Sequence, residues 1–229
     1  DFCLSRGLGD VYKRQGVEDV RQVISLGQLA EQLGFDSLWT MDHLFNIGFV
    51  RDRLDNKPYY HPLGTLTFLA AVTSRITLGT SVMVLPYHNP VEMAKYAATL
   101  DQLSGGRFIL GVGAGGTREE SDALGLPWER RGAIANEGMR VMRELWTAGF
   151  PVFHGKDWDF ENLRFAPKPI QSPLPMWVGG ASPGAMKRAA TLGDGWHPNG
   201  VPPDGYRAAA DQVRSLAEEA SRDPGQITM

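Results

Sequence analysis

The segment Phe35-Asp36-Ser37-Leu38-Trp39-Thr40-Met41-Asp42-His43-Leu44 constrains this chain more than any other. Its apolar run reads as a buried strand over 35–41 that empties into a loop opening on an Asp-His pair. A polar pair at the carboxyl end of a buried strand belongs to parallel α/β proteins, whose chemistry sits on the loops beyond the strand ends. The flanking sequence keeps to that plan. Val17 to Leu33 carries Val20, Val23, Ile24, Ala30 and Leu33 at helical spacing, and Gly34 ends the run. Gly64 to Ser74 is a compact apolar helix, and Ile76 to Pro86 is a β-branched strand interrupted by Gly79. Glycine inside a strand marks a bulge or the close approach of another group.

The alternation continues downstream. Pro90 stands at a helix N1 position, and that helix runs to about Ser104, closed by Gly105-Gly106. Arg107 to Gly113 is a buried strand, Ala133 to Ala148 a helix, and Met176 to Gly179 a strand. Ser182 and Pro183 start a helix through Leu192 as N-cap and N1. Gly195 to Pro198 is a short strand end, Gly205 to Arg222 a last helix, and Ile227 to Met229 a strand stub. Between these lie a long polar and aromatic loop at 45–62, of the kind that forms lids or binding walls. A loop with one short helix follows at 115–131, and a Pro-, Trp- and Phe-rich excursion with room for a hairpin at 150–175.

Strand and helix in alternation predict a parallel sheet with right-handed crossovers. The spacing supplies five strands and a stub, whereas a complete (β/α)8 barrel takes about 250 residues. The expected fold class is therefore α/β, a TIM-type barrel truncated at both ends and occupying residues 16–229. Residues 1–15, which include Cys3, lack clean periodicity and read as a non-native leader.

Composition narrows the functional classes. The 229 residues are 42% hydrophobic and 21% charged, enough apolar content for a core. A net charge of −3 gives no basic field for nucleic acid or a membrane surface. No apolar run approaches the roughly 20 residues of a membrane span. A single cysteine and the lack of a signal-peptide pattern make the cytoplasm the expected compartment. No metal-ligand spacing, G-x-S-x-G elbow or Walker loop appears.

Two glycine-rich segments stand at strand ends. Gly111-Val112-Gly113-Ala114-Gly115-Gly116 satisfies G-x-G-x-x-G. A dinucleotide fold would open a helix there and place an acidic residue at the end of the next strand. Here Thr117-Arg118-Glu119-Glu120 follows and Pro127 interrupts, so these glycines are better explained by a flat ring lying close to the backbone. Gly179-Gly180-Ala181-Ser182 joins a strand to a helix start, where amides and the helix dipole favour a phosphate; an ordinary tight turn with a serine cap is the alternative.

Several segments together resemble one family. GFDSLWTMDHL (34–44), the run from Thr73 to Glu120 that contains LDQLSGGRFILGVGAG, ERRG (129–132), APKPIQ (166–171) and PMWVGGASPGAMKRAATLGDGW (175–196) are similar to the luciferase-like monooxygenase superfamily. They are most similar to its oxidoreductases that use the deazaflavin coenzyme F420. The resemblance implies an α/β barrel that binds F420, or alternatively FMN, at the carboxyl ends of its strands. His43 would face the reacting or pyrimidine edge of the ring as a catalytic residue. Asp42 beside it would hold the imidazole oriented; the alternative is a histidine bonded to backbone in a loop. Ser81-Val82 would form a non-proline cis bulge behind the ring, the alternative being a plain strand end. Gly111, Gly113 and Gly115 would lie against the ring.

Gly179, Gly180, Ala181 and Ser182 would take the phosphate of the tail, with Arg131 (or Arg130) reaching the same anion. Trp196 and His197 would border substrate, although Trp196 is equally suited to a core. Some sugar-phosphate-oxidising relatives have a catalytic Glu where this chain has Gly116, which counts against that activity. Hydride transfer between F420 and a small organic substrate is the implied reaction. A reduced-FMN monooxygenase with a reductase partner and a non-catalytic flavin-binding barrel are the alternatives. A homodimer is the implied assembly.

Overall fold

The computed structural model describes residues 2–4 and 19–229. Most of the expected leader lies outside the described residues; of it, Phe2–Leu4 form strand β1. The elements that follow are α1 (Val20–Gln32), β2 (Ser37–Thr40), α2 (Gly48–Leu54), α3 (Pro62–Val72), β3 (Thr77–Thr80) and β4 (Met83–Val84). Next come α4 (Pro90–Ser104), β5 (Phe108–Gly113), α5 (Arg118–Ala123), α6 (Arg131–Thr147) and the hairpin β6 (Phe153–His154) with β7 (Asp159–Phe160). The chain ends with β8 (Met176–Gly179), α7 (Pro183–Leu192), β9 (Gly195–His197) and α8 (Pro203–Glu219).

The main sheet runs in the order β1-β2-β3-β5-β8-β9, with β4 pairing the carboxyl half of β5. Within this sheet every pairing from β2 to β9 is parallel, and the separate β6–β7 hairpin is antiparallel. It is the curved, helix-covered arc of a (β/α)8 barrel, and among the described residues it does not close. One detail departs from the expected all-parallel plan: β1 lies antiparallel on β2. The C-terminal stub keeps to it, through a single parallel bridge from Thr228 to Gly195.

Side-chain alternation explains both faces of the arc. Leu38, Leu78, Phe108, Leu110, Val112, Met176 and Val178 are fully or almost fully buried and join one apolar cluster with Leu66 and Leu69 of α3, Ala94 and Ala97 of α4, and Met139 and Met142 of α6. Each such side chain contributes about 1.5–3 kcal/mol by leaving water. In-register neighbours point to the barrel interior, where Trp39 pairs with Gly79 and Gly111 with Trp177. A Cβ on Gly79 would lie 2.3 Å from the Trp39 ring, so this glycine is the close approach foreseen for a glycine inside a strand.

Local signals placed the elements that matter for the site. Asn89 caps α4 ahead of Pro90, and Gly105 closes it in the left-handed region at φ 71°. Ser182 caps α7 by accepting from the Ala185 amide. The loop at 45–62 holds helix α2, which sequence reading missed, and the strand expected over 76–86 is split into β3 and β4 at Ser81-Val82.

Candidate active site

The carboxyl ends of β2, β3, β5 and β8 open into one cavity of about 780 Å³. Asp42, His43, Ser81, Val82, Gly113, Gly115, Arg131 and the whole Gly179–Ser182 segment line it. The Asp-His loop and the glycine-rich helix start thus share a single space.

One end of the cavity is built from two carboxylate-imidazole pairs. Asp42 does not orient His43, as adjacency in sequence had suggested. His43 Nδ1 instead lies 3.0 Å from Glu120 Oε2, and Glu120 Oε1 accepts from the amides of Leu44 at 3.0 Å and Phe45 at 3.4 Å. Glu120, on α5, is 1% exposed. Burial pushes its carboxyl upward, but the hydrogen bond and charge of His43 with the two amides outweigh that and hold it below its ordinary value. Tyr87 Oη also donates to Glu120, and burial together with the Glu120 charge pushes that phenol up to about 12. An ionised Glu120 places the proton of neutral His43 on Nδ1.

Asp42 has its own partners. Its Oδ2 accepts from the Val84 amide at 2.9 Å and lies 2.7 Å from His88 Nε2. Its Oδ1 is buried and has no hydrogen-bond partner. Successive residues on one extended loop point to opposite sides, which is why neighbours in sequence serve different partners.

The cavity floor is the bulge. The Ser81–Val82 peptide is cis. Val82 projects onto the strand ends, so a Cβ on Gly113 or Gly179 would lie 2.7 or 2.6 Å from its methyl groups, and one on Gly111 would lie 1.7 Å from the Thr80 carbonyl oxygen. Of the three glycines expected against a flat ring, Gly113 and Gly115 line the cavity. Gly111 does not line the cavity, and Gly113 and Gly179 are small because Val82 occupies the space above them. Ser81 Oγ meets His197 Nε2 at 2.9 Å, and His197 stacks on Trp39 with ring centroids 4.9 Å apart. Burial holds the His197 imidazole below its ordinary pKa, so it is neutral behind Ser81 rather than on the cavity lining. Trp196 is 1% exposed and donates to the Gly180 carbonyl. It belongs to the core and does not line the cavity.

The other end is cationic. Gly180 has φ 98° and its N–H donates to the His197 carbonyl, so that amide is already used. Arg131 stacks on Trp128 at 3.8 Å and donates to the Trp128 carbonyl. Arg130, the alternative to it, pairs with Asp157 and stays out of the cavity. Sequence reading missed Arg188 on α7, which is 6% exposed and lines the cavity. Its guanidinium donates to Asn136 Oδ1 at 2.5 Å and to the Gly132 carbonyl at 3.1 Å. Burial, then the nearby Arg131 charge, lowers its pKa. Among the described residues neither Arg131 nor Arg188 has a carboxylate partner. Two arginines without carboxylates beside the start of α7 leave this end of the cavity with net positive charge.

Residues 2–229 match the luciferase-like monooxygenase family. The chain belongs to that family. Its members include oxidoreductases that use F420 and monooxygenases that use reduced FMN. The chain is 31% identical over 219 residues to an uncharacterised protein of Mycobacterium tuberculosis, covering 91% of this chain and 75% of that one. It is 32% identical over 180 residues to the F420-dependent glucose-6-phosphate dehydrogenase of Amycolatopsis mediterranei, covering 77% of this chain and 52% of that one. The FMNH2-dependent dimethylsulfone monooxygenase of Pseudomonas putida is 30% identical over 197 residues, with 84% and 52% covered. The chain thus spans about half the length of these two luciferase-like enzymes. Among solved structures, the coenzyme F420-dependent tetrahydromethanopterin reductase of Methanopyrus kandleri superposes with a TM-score of 0.76 at 26% identity, covering 93% of this chain and 62% of that one. No helix among the described residues is long and apolar enough to cross a membrane.

Glu120, His88 and Arg188 carried no local signal as luciferase-like site residues. Glu120 reaches His43 across 77 positions and His88 reaches Asp42 across 46.

Proposed function

We propose that this chain is the cofactor-binding part of an oxidoreductase that moves a hydride between coenzyme F420 and a small organic substrate. The observation that carries the reading is the single cavity joining His43 to the anion-binding end at Ala181, Ser182, Arg131 and Arg188. A ring with a phosphate tail needs both ends within one space. The residues fit such a group: Asp42, His43 and Ser81 line one end, and two arginines without carboxylates line the other.

When bound, the deazaflavin supplies the ring carbon that gives or takes the hydride. His43 does the proton work. With Nδ1 held by Glu120, its Nε2 takes the proton from a donor O–H or N–H, or returns it in the reverse direction. Val82 would support the ring, and Ser81, fixed by His197, would offer it a hydroxyl. Arg131, Arg188 and the Ala181 and Ser182 amides hold the tail.

Relatives on both sides of the family keep a second reading in view, a reduced-FMN monooxygenase served by a reductase, for which the 30% identity to the dimethylsulfone monooxygenase speaks. Titrating the purified protein with F420 and with FMN, followed by fluorescence, separates the two. Micromolar binding of F420 with no uptake of FMN is expected. FMN bound and F420 ignored would replace the first reading by the second. Binding without turnover over a broad substrate panel, with tolerance of His43→Ala, would point to a non-catalytic barrel.

A further inference from the structure

The sequence contains a single Asn-Gly dipeptide, Asn199-Gly200, in the exposed bend between β9 and α8. Its place in the fold is what matters, because Asn199 lines the cavity. Two residues earlier the His197 carbonyl accepts from the Gly180 N–H, which ties this bend to the Gly179–Ser182 segment at the start of α7. Arg131 and Arg188 line the same cavity, so a change of charge at residue 199 falls in the space those arginines serve.

Asparagine followed by glycine carries a chemistry of its own. The backbone nitrogen of the second residue attacks the side-chain Cγ of the first. An N–Cγ bond forms, the Cγ–Nδ2 bond breaks, and ammonia leaves with the backbone amide proton. Water then opens the five-membered imide at either carbonyl, giving aspartate or isoaspartate. The balance is amide plus water to carboxylate plus ammonium, with no redox partner. A folded chain resists the attack with a side chain on the second residue, or with hydrogen bonds that hold the two groups apart.

Neither obstacle is present at this bend. Gly200 has no Cβ and sits at φ 73°. Among the described residues neither the Asn199 side-chain amide nor the Gly200 N–H has a hydrogen-bond partner. Each of the other five asparagines precedes a proline or a residue with a side chain. Asp194-Gly195 is the internal contrast, because aspartate before glycine closes the same imide. There Asp194 Oδ2 accepts from Arg143 at 2.7 Å and from the Met176 amide at 2.9 Å, and Gly195 is paired within β9.

We propose that Asn199 is a self-modification site, whose conversion to aspartate or isoaspartate puts a carboxylate on the lining shared by Arg131 and Arg188 and lowers the cavity's affinity for anions. A modification that changes charge acts through ordinary electrostatics. The inference goes beyond the redox reading, since it concerns the charge of the cavity and not the ring it takes.

The test incubates the purified chain in mildly acidic and mildly alkaline buffer and follows every asparagine by peptide mass spectrometry. Binding of inorganic pyrophosphate is read by calorimetry before and after. Residue 199 should gain one mass unit ahead of every other asparagine, faster in the alkaline buffer, with isoaspartate at 199 and none at 194. The converted chain should bind pyrophosphate about threefold or more weakly, the weight of one partly screened charge, and the gap should narrow as salt is raised. Asn199→Asp should reproduce the loss without incubation. Asn199→Gln, which closes only a six-membered ring, should keep its own starting affinity throughout. Residue 199 intact when other asparagines have reacted overturns the inference. So does a converted chain, or an Asn199→Asp variant, that binds pyrophosphate as tightly as the fresh native chain. Fresh native chain that takes up no pyrophosphate overturns it too, and leaves the redox reading to its own titrations with F420 and FMN.

Discussion

Glu120 offers the most demanding check on how the site is held together. It is 1% exposed and accepts from His43, from the Leu44 and Phe45 amides and from Tyr87. Glu120→Ala removes the carboxylate partner of the half-buried His43 imidazole and of the Leu44 and Phe45 amides. Hydrogen bonds to charged groups contribute about 1.5–3 kcal/mol each, and breaking a buried pair from one side costs about 3–5 kcal/mol. Two of the four contacts, those to His43 and Leu44, are at 3.0 Å, so a loss of about 3–5 kcal/mol is expected overall. For a chain of this size that lowers the melting temperature by about 6–20 °C. Glu120→Gln keeps an acceptor for the Leu44 amide and should lose about half as much.

The pH dependence gives an independent sign. The folded carboxyl lies below its ordinary value of 4.5, so its stabilisation is complete above that value and is lost as pH falls through the folded pKa. Urea unfolding followed by tryptophan fluorescence, repeated from pH 8 to pH 3, reads both quantities. The gap between native and Glu120→Ala should be steady above about pH 5 and narrow below it. A variant within about 0.5 kcal/mol of native, with a gap independent of pH, would refute the account.

Other substitutions probe the floor and the anion end. Gly111→Ala drives a Cβ to 1.7 Å from a backbone oxygen and should cost about 3 kcal/mol or prevent folding, whereas Gly116→Ala, with nothing within 4 Å, should stay within about 0.5 kcal/mol in the same urea titration. Arg188→Leu should weaken binding of the phosphate-tailed ring about tenfold and flatten its salt dependence, while Arg130→Leu leaves both unchanged; titration at two ionic strengths checks this. The partly buried His197, its pKa lowered by desolvation, takes up protons more readily unfolded than folded, so it contributes a loss of stability as pH falls through about 6.5. His197→Gln should therefore lose less stability than native between pH 7 and pH 5 in parallel melts.

Most elements and their order were legible locally, α2 and the break between β3 and β4 apart. The strand at 176–179, the helix at 90–104 and the Ser182 cap were legible because periodicity, proline at N1 and a capping hydroxyl act within a few residues of chain. Resemblance to the luciferase-like family extended that to the Ser81-Val82 bulge. Only the tertiary structure decided who holds whom. Glu120 rather than Asp42 holds His43, His88 holds Asp42, Val82 leaves no room for a Cβ on Gly113 or Gly179, and Arg188 joins Arg131 on the cavity lining. The physical reason is that these contacts cross tens of residues between neighbouring strand ends. Hydrophobic patterning specifies that a strand is buried, but the side on which a loop residue emerges depends on strands packed around it.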